Sequence, residues 1–138
     1  MTERAHEGSC LCGAVRYRVT GPLRPVLGCH CVQCRKSTGN YMAATAASDA
    51  DLTVSDGEGA LMWYRASDFA SRGFCGRCGS TLFWKRDGLD ATSIAAGTLD
   101  GATGLKIEAH IFCADKGDYY DIAEDAPHFA QGLRPEEA

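Results

Sequence analysis

Seven of the eight cysteines fall into three clusters: Cys10-x-Cys12-Gly13, Cys29-His30-Cys31-x-x-Cys34 and Cys75-x-x-Cys78-Gly79. Cys113 stands alone. A C-x-x-C pair lets one tight turn present two sulfurs to one ion, and a following glycine lets the backbone approach closely. One such pair is weak evidence. Two pairs, a C-x-C and a further cysteine within 138 residues point to zinc held by thiolates. Chance burial of inert cysteines does not generate this spacing, although it accounts for Cys113, which lies inside a strand pattern. A redox C-x-x-C calls for a βαβ setting that the pattern lacks.

The clusters then have to be divided between ions. Pairing Cys31 and Cys34 with Cys75 and Cys78 leaves a gap of 40 residues (35–74), well beyond the roughly 15–20 of a compact zinc ribbon. It would also leave Cys10, Cys12 and Cys29 without a role. The economical division makes Cys10, Cys12, Cys75 and Cys78 a closed four-sulfur site and leaves Cys29, Cys31 and Cys34 as a three-sulfur set. Structural zinc is four-coordinate and closed, whereas catalytic zinc keeps a position for water or substrate. Three local thiolates without a fourth cysteine leave such a position. His30 is the nearest side chain that would fill it, but it lies between two ligands and its ring reaches back only with strain.

The elements that must position these sulfurs read mainly as strands. In 14–19, Val15, Tyr17 and Val19 alternate with Arg16 and Arg18, the period of a half-buried strand. Segments 60–64, 80–85, 92–96 and 105–112 read the same way, the last with Leu105, Ile107, Ala109 and Ile111 on one face. Asp56-Gly57, Asp87-Gly88 and Asp100-Gly101 are turn signals. Cys31 to Ser37 fits one or two helical turns, and Ala123 to Gln131 is ambiguous. Trp63, Phe74, Phe83 and Trp84 read as core aromatics. Residues 1–8 are polar and read as loosely held, and 132–138 as a frayed acidic tail. The expected fold is mainly β, with short antiparallel strands and long metal-pinned loops, in one domain spanning 1–138.

Composition narrows the function. Hydrophobic residues make up 45% and charged residues 23%, so the chain buries a core without needing metal to replace one. The 16 glycines suit tight turns and short strands. The net charge of −4, with no basic stripe, argues against nucleic acid. No stretch approaches the roughly 18 apolar residues of a membrane helix. The segment MTERAHEGS has no apolar core and is not a signal peptide, so the expected location is cytoplasmic, where clustered cysteines are metal ligands more often than disulfides.

The three clusters together resemble the glutathione-dependent formaldehyde-activating enzyme family, which includes centromere protein V. The resemblance rests on Ser9-Cys10-x-Cys12-Gly13, Cys29-His30-Cys31-x-x-Cys34-Arg35 and Phe74-Cys75-x-x-Cys78-Gly79-Ser80. It continues at His110-Ile111-Phe112, Asp115-Lys116, Tyr119-Tyr120 and Pro127-x-Phe129, and covers about residues 8–130. It implies an Mss4-like fold of several short coiled antiparallel sheets pinned by zinc. It also implies a structural zinc on Cys10, Cys12, Cys75 and Cys78, and a second, open and labile zinc on Cys29, Cys31 and Cys34. The implied activity is that of a carbon–sulfur lyase, the reversible addition of glutathione or a similar thiol to formaldehyde or another small aldehyde.

Glutathione carries two carboxylates, and Arg35 and Lys36, directly after Cys34, are the best-placed cations to meet them or else are solvated surface charges. Ser37 to Asn40 form a polar loop beside them. His110 reads as a hydrogen-bonded wall residue more readily than as a base or ligand. Asp115, Lys116, Tyr119 and Tyr120 read as a turn and packing corner. Two readings from other classes stand beside the enzyme: a zinc-stabilised interaction module without catalysis, and a metal- or redox-sensing protein.

Overall fold

The computed structural model describes residues 5–133. The expectations for residues 1–4 and 134–138 lie outside the described residues. In chain order the elements are β1 (His6–Ser9), β2 (Arg16–Val19), β3 (Val26–Cys29), α1 (Val32–Thr38), β4 (Met42–Ser48), β5 (Leu52–Ser55), β6 (Leu61–Arg65), β7 (Ala70–Cys75), β8 (Thr81–Arg86), β9 (Ala91–Ala95) and β10 (Ile107–Ile111), with three short 3₁₀ turns. The protein is mainly β. Its chain falls into two compact units, residues 5–24 with 45–104 and residues 25–44 with 105–133.

The first unit holds an antiparallel sheet in the order β1-β2-β5 and an antiparallel meander of β6, β7, β8 and β9. The alternation in β2 acts as the sequence predicts. Val15, Tyr17 and Val19 are buried, while Arg16 and Arg18 face solvent. The strand itself begins only at Arg16, because Gly13 at φ +82° still belongs to a turn closed by its N–H on the Cys10 carbonyl. β1 corrects the expectation of a loose N-terminal segment, since Gly8 lies opposite Tyr17 across the β1–β2 ladder. A Cβ at Gly8 would run into Tyr17 Oη, so only glycine admits this packing.

Phe83, Leu82 and Ile94 complete the core with Cys10 and Cys75. The Tyr17 and Phe83 rings meet edge to face at 5.5 Å. Of the four aromatics expected inside, Phe83 is 1% exposed but Trp63 is 48% exposed and lies stacked over Phe83.

In the second unit β3 pairs antiparallel with residues 42–44 of β4 and parallel with β10. This is a parallel pair within a fold that is otherwise antiparallel, as the sequence predicts in the main. A register shift between Ile107 and Ala109 also breaks the predicted face of β10: Ala109 is buried and Ile107 is exposed. The ambiguous segment 123–131 is not helical. It lies along β10, with the His110 N–H on the Pro127 carbonyl at 2.9 Å and the Phe129 N–H on the His110 carbonyl at 2.9 Å.

Tyr17 provides a test of the first unit. The Thr98 hydroxyl donates to the Ala95 carbonyl, so the Tyr17 hydroxyl, 2.7 Å away, donates to Thr98 Oγ1. Burial is the largest cause pushing the phenol up to about 12. A phenol whose folded pKa is raised adds stability below its unfolded value of about 10, and that stability is lost as pH rises toward 12. Chemical denaturation should therefore show a loss on the order of 2–3 kcal/mol between these pH values, and Tyr17→Phe should remove that component of the slope.

Candidate metal centres

The four-sulfur cluster is built in the first unit by two loops of similar design. In one, the Cys10 N–H bonds the Val15 carbonyl at 3.0 Å, five residues on; in the other, the Cys75 N–H bonds the Ser80 carbonyl at 3.0 Å, again five residues on. Each loop turns through a glycine with positive φ, Gly13 at +82° and Gly79 at +81°. This turn swings Cys12 back toward Cys10 and Cys78 back toward Cys75. The four sulfurs lie within 4.8 Å of one another, with Cys10 to Cys12 at 3.7 Å and Cys12 to Cys75 at 3.8 Å. No disulfide joins any of the eight cysteines.

These spacings test the fit of a metal. Thiolates about 2.3 Å from a tetrahedral zinc stand about 3.8 Å apart, whereas a disulfide needs about 2.05 Å. Backbone N–H groups point at the sulfurs as well: Val15 at Cys10 (3.3 Å), and Arg77 and Cys78 at Cys75 (3.4 and 3.5 Å). Such donors orient and stabilise thiolate ligands. Ser80 accepts from the Leu11 N–H at 2.9 Å, which leaves its hydroxyl proton for the Cys78 sulfur at 3.2 Å. That bond, with backbone donors, draws the Cys78 thiol down to about 5. Cys12 behaves oppositely: although the Ala14 N–H favours its thiolate, loss of water and the adjoining thiols push it up to about 11. A cation at the centre removes that conflict, so the donor set fits zinc.

The three-sulfur cluster belongs to the second unit. Cys29 ends β3, Cys31 is the N-cap of α1 and Cys34 lies in its first turn. The Cys31 sulfur accepts the Cys34 N–H at 3.3 Å, a capping bond that holds both side chains on one side of the turn. α1 stops at Gly39, whose φ of +84° lets its N–H reach back to the Arg35 carbonyl at 2.8 Å. The three sulfurs also lie within 4.8 Å of one another. Hydrogen bonding with the Cys31 and Cys34 thiols, followed by burial, pushes Cys29 up: three thiolates this close do not coexist without a cation. Among the described residues no fourth His, Cys, Asp or Glu joins this group.

His30 does not turn toward the sulfurs. It is wholly buried, with Nδ1 2.6 Å from Tyr120 Oη and Nε2 2.9 Å from His110 Nδ1. Both ring nitrogens are engaged, so it is a hydrogen-bonded core histidine. Burial, then the charges of His110 and Lys116, lowers its pKa to about 4, which keeps the ring neutral. Tyr41 stacks on it at 4.5 Å. Lys116 Nζ donates to the Gly117 and Tyr120 carbonyls and sits 4.7 Å above the Tyr120 ring.

Of the expected substrate cations, Arg35 is half-buried with Nε on the Asp115 carbonyl at 3.0 Å, and Lys36 is exposed. Sequence reasoning left Tyr120 as a packing residue and gave Ser80 and Tyr41 no role. Tyr120 joins His30 across 90 positions of chain, for which no local pattern exists.

The model of the glutathione-dependent formaldehyde-activating enzyme family matches residues 5–115, a span that includes both cysteine clusters. The chain belongs to this family. A Schizosaccharomyces pombe protein named an uncharacterized lyase is 29% identical over 126 residues, 90% of each chain. A Halomonas elongata protein that bears the family enzyme's name is 40% identical over 84 residues, 56% of this chain and 54% of its own. A Rhodobacter sphaeroides protein of known crystal structure superposes with a TM-score of 0.58 at 28% identity, covering 70% of this chain and 90% of that one. No helix among the described residues is long and apolar enough to cross a membrane.

The four-sulfur cluster predicts a specific loss. Structural zinc contributes roughly 10–16 kcal/mol in small zinc domains, more than most domains have to spare. Cys78→Ala should therefore remove one metal equivalent and most of the cooperative melting transition, read by elemental analysis and circular dichroism. Ser80→Ala, which removes only the hydroxyl on Cys78, should keep the metal and melt a few degrees lower.

Proposed function

We propose that the chain is a zinc-dependent enzyme of the carbon–sulfur lyase type, joining glutathione or a similar thiol to formaldehyde or another small aldehyde and reversing that step. The observation that carries this reading is the three-sulfur set of Cys29, Cys31 and Cys34, convergent within 4.8 Å and lacking a fourth ligand among the described residues. Zinc held there would supply Lewis-acid chemistry at an open position and favour the thiolate form of an incoming thiol. Cys10, Cys12, Cys75 and Cys78 would hold the closed structural ion.

The protein's own residues bring the two reactants together. In the forward direction the thiol sulfur forms a bond to the carbonyl carbon, the carbonyl π pair moves onto oxygen, and the proton that leaves sulfur ends on that oxygen. Nothing is oxidised or reduced. Holding thiol and aldehyde in one place removes much of the entropic barrier to a bimolecular addition. Arg35 and Lys36 follow Cys34 on α1 and would bind the carboxylates of glutathione. Arg35 suits this role because its Nε is already tied to the Asp115 carbonyl, which orients the remaining guanidinium donors.

Support for this reading also comes from the family and from the names of the Halomonas elongata and Schizosaccharomyces pombe relatives. The cysteine variants test it. Cys31→Ala should lose the second metal equivalent and at least a hundredfold in turnover of glutathione with formaldehyde, while Cys113→Ala keeps both. Turnover retained in Cys31→Ala would overturn the assignment, and absence of turnover with every thiol–aldehyde pair would favour the non-catalytic interaction module. A mild chelator should also take the zinc of the three-sulfur site first, giving two kinetic classes of metal release, with the faster class absent from Cys31→Ala.

A further inference from the structure

β6 ends its meander and is bonded to β7 on one side only. The ladder shows which of its backbone groups are left over. The Gly76 N–H donates to the Ala60 carbonyl at 2.7 Å, and the Ala66 N–H to the Ala70 carbonyl at 3.1 Å. Hydrogen-bonded pairs alternate along an antiparallel ladder. Residues 60, 62, 64 and 66 therefore bond to β7, while 61, 63 and 65 turn their N–H and C=O outward. The Asp56 carboxylate takes the Leu61 N–H at 3.1 Å. The outward groups of Trp63 and Arg65 meet no partner among the described residues. Soluble proteins blunt an open edge with charge, proline or a bulge. The centre of β6 has none of these. Met62, Trp63 and Tyr64 follow one another, 50%, 48% and 65% exposed, in unbroken register with β7.

We propose that the β6 edge pairs with β6 of a second copy of this chain, antiparallel, about a two-fold axis at Trp63. The backbone fits this axis. Trp63 meets its own counterpart as a hydrogen-bonded pair, and each Arg65 N–H comes opposite a Leu61 carbonyl. The Leu61 N–H needs nothing from the second copy, because Asp56 already holds it.

The side chains are self-complementary in the same register. Met62 and Tyr64 share one face of the strand. Beside Met62 lies a shallow hollow of about 390 Å³, walled by Ala60, Met62 and Gly76 together with the paired Glu58 and Arg77. The second copy's Tyr64 stands opposite Met62, over that hollow, where its hydroxyl finds polar groups. Each copy offers one hollow and one tyrosine, and the axis exchanges them, as an isologous interface requires. On the other face Trp63 lines an apolar cleft with Leu52, Val54 and Phe83, and the two clefts adjoin across the axis. Charge agrees as well. Asp56 and Glu58 precede the strand and Arg65 closes it, so antiparallel pairing sets the basic end of each copy against the acidic end of the other. Covering Met62, Trp63 and Tyr64 buries on the order of 300 Å² per copy, a good part of the roughly 800 Å² per partner of a standard interface.

The test is sedimentation equilibrium of the full metal-loaded chain, which should show a dimer with a dissociation constant in the micromolar range or tighter. Tyr64 is exposed, so Tyr64→Lys should weaken the dimer at least tenfold and leave the melting temperature and metal content unchanged. Hydrogen exchange locates the contact. The Trp63 and Arg65 amides should exchange freely in dilute protein and at least tenfold more slowly in the dimer, while Leu61, Met62 and Tyr64, already bonded within one copy, should not change. A chain that stays monomeric at millimolar concentration, with those two amides open, would overturn self-pairing and leave the edge to a different protein. So would a dimer that tolerates Tyr64→Lys, a dimer whose Trp63 and Arg65 amides remain open, or assembly that grows past two copies.

Discussion

The convergence of thiols that repel one another as thiolates is the constraint on which both cysteine clusters turn. Sulfurs 3.7 and 3.8 Å apart, as at Cys10, Cys12 and Cys75, are too far apart to bond as disulfides and too close to share negative charge unaided. The protein lines these positions with N–H and O–H donors: Val15, Arg77 and Cys78 through the backbone, and Ser80 through its side chain. Each donor favours a thiolate, and a cation at the centre would let all four exist together. The turn glycines, the five-residue closures after Cys10 and Cys75, and the seating of both cysteines in the core beside Phe83 and Leu82 all serve that arrangement.

Closed and open clusters differ in how many chain segments supply them. The four-sulfur site draws two ligands from each of two loops separated by more than sixty residues, so it clasps distant parts of its unit together. The three-sulfur site draws all its ligands from one stretch of six residues at the end of β3 and the start of α1. Among the described residues no fourth His, Cys, Asp or Glu joins it from elsewhere in the chain. That contrast fits a division of labour in which the first site holds the fold and the second meets a ligand.

In the second unit His30, between Cys29 and Cys31 in sequence, belongs to a network of polar side chains. His30, His110, Tyr41 and Tyr120 contact one another through ring stacking and two short hydrogen bonds. Burying a histidine with both nitrogens satisfied by side chains, when a single carbonyl would serve, ties its tautomer to residues 80 and 90 positions away. Gly28 is the backbone concession that makes the contact possible, since a Cβ there would meet His110 and Tyr41.

The grouping of Cys10 and Cys12 with Cys75 and Cys78 followed from economy in the sequence, and tertiary packing brings those four sulfurs together. Cysteine spacing marked the three clusters, because a turn of two or three residues determines locally where its sulfurs point. The alternation of Val15, Tyr17 and Val19 and the short helix after Cys31 were legible for the same reason. β4 was not, since its Met-Ala-Ala-Thr-Ala-Ala-Ser run has few β-branched residues and becomes a strand through its neighbours. Nor were β3 and β7, whose Gly28 and Gly73 weaken a strand pattern but admit the His110, Trp63 and Phe83 rings. The closure of β1 over Tyr17 and the parallel pairing of β10 likewise required contacts across the chain. The His30 network lay furthest from the sequence's reach. A histidine's role depends on what its two nitrogens meet, and here both partners arrive only through tertiary packing.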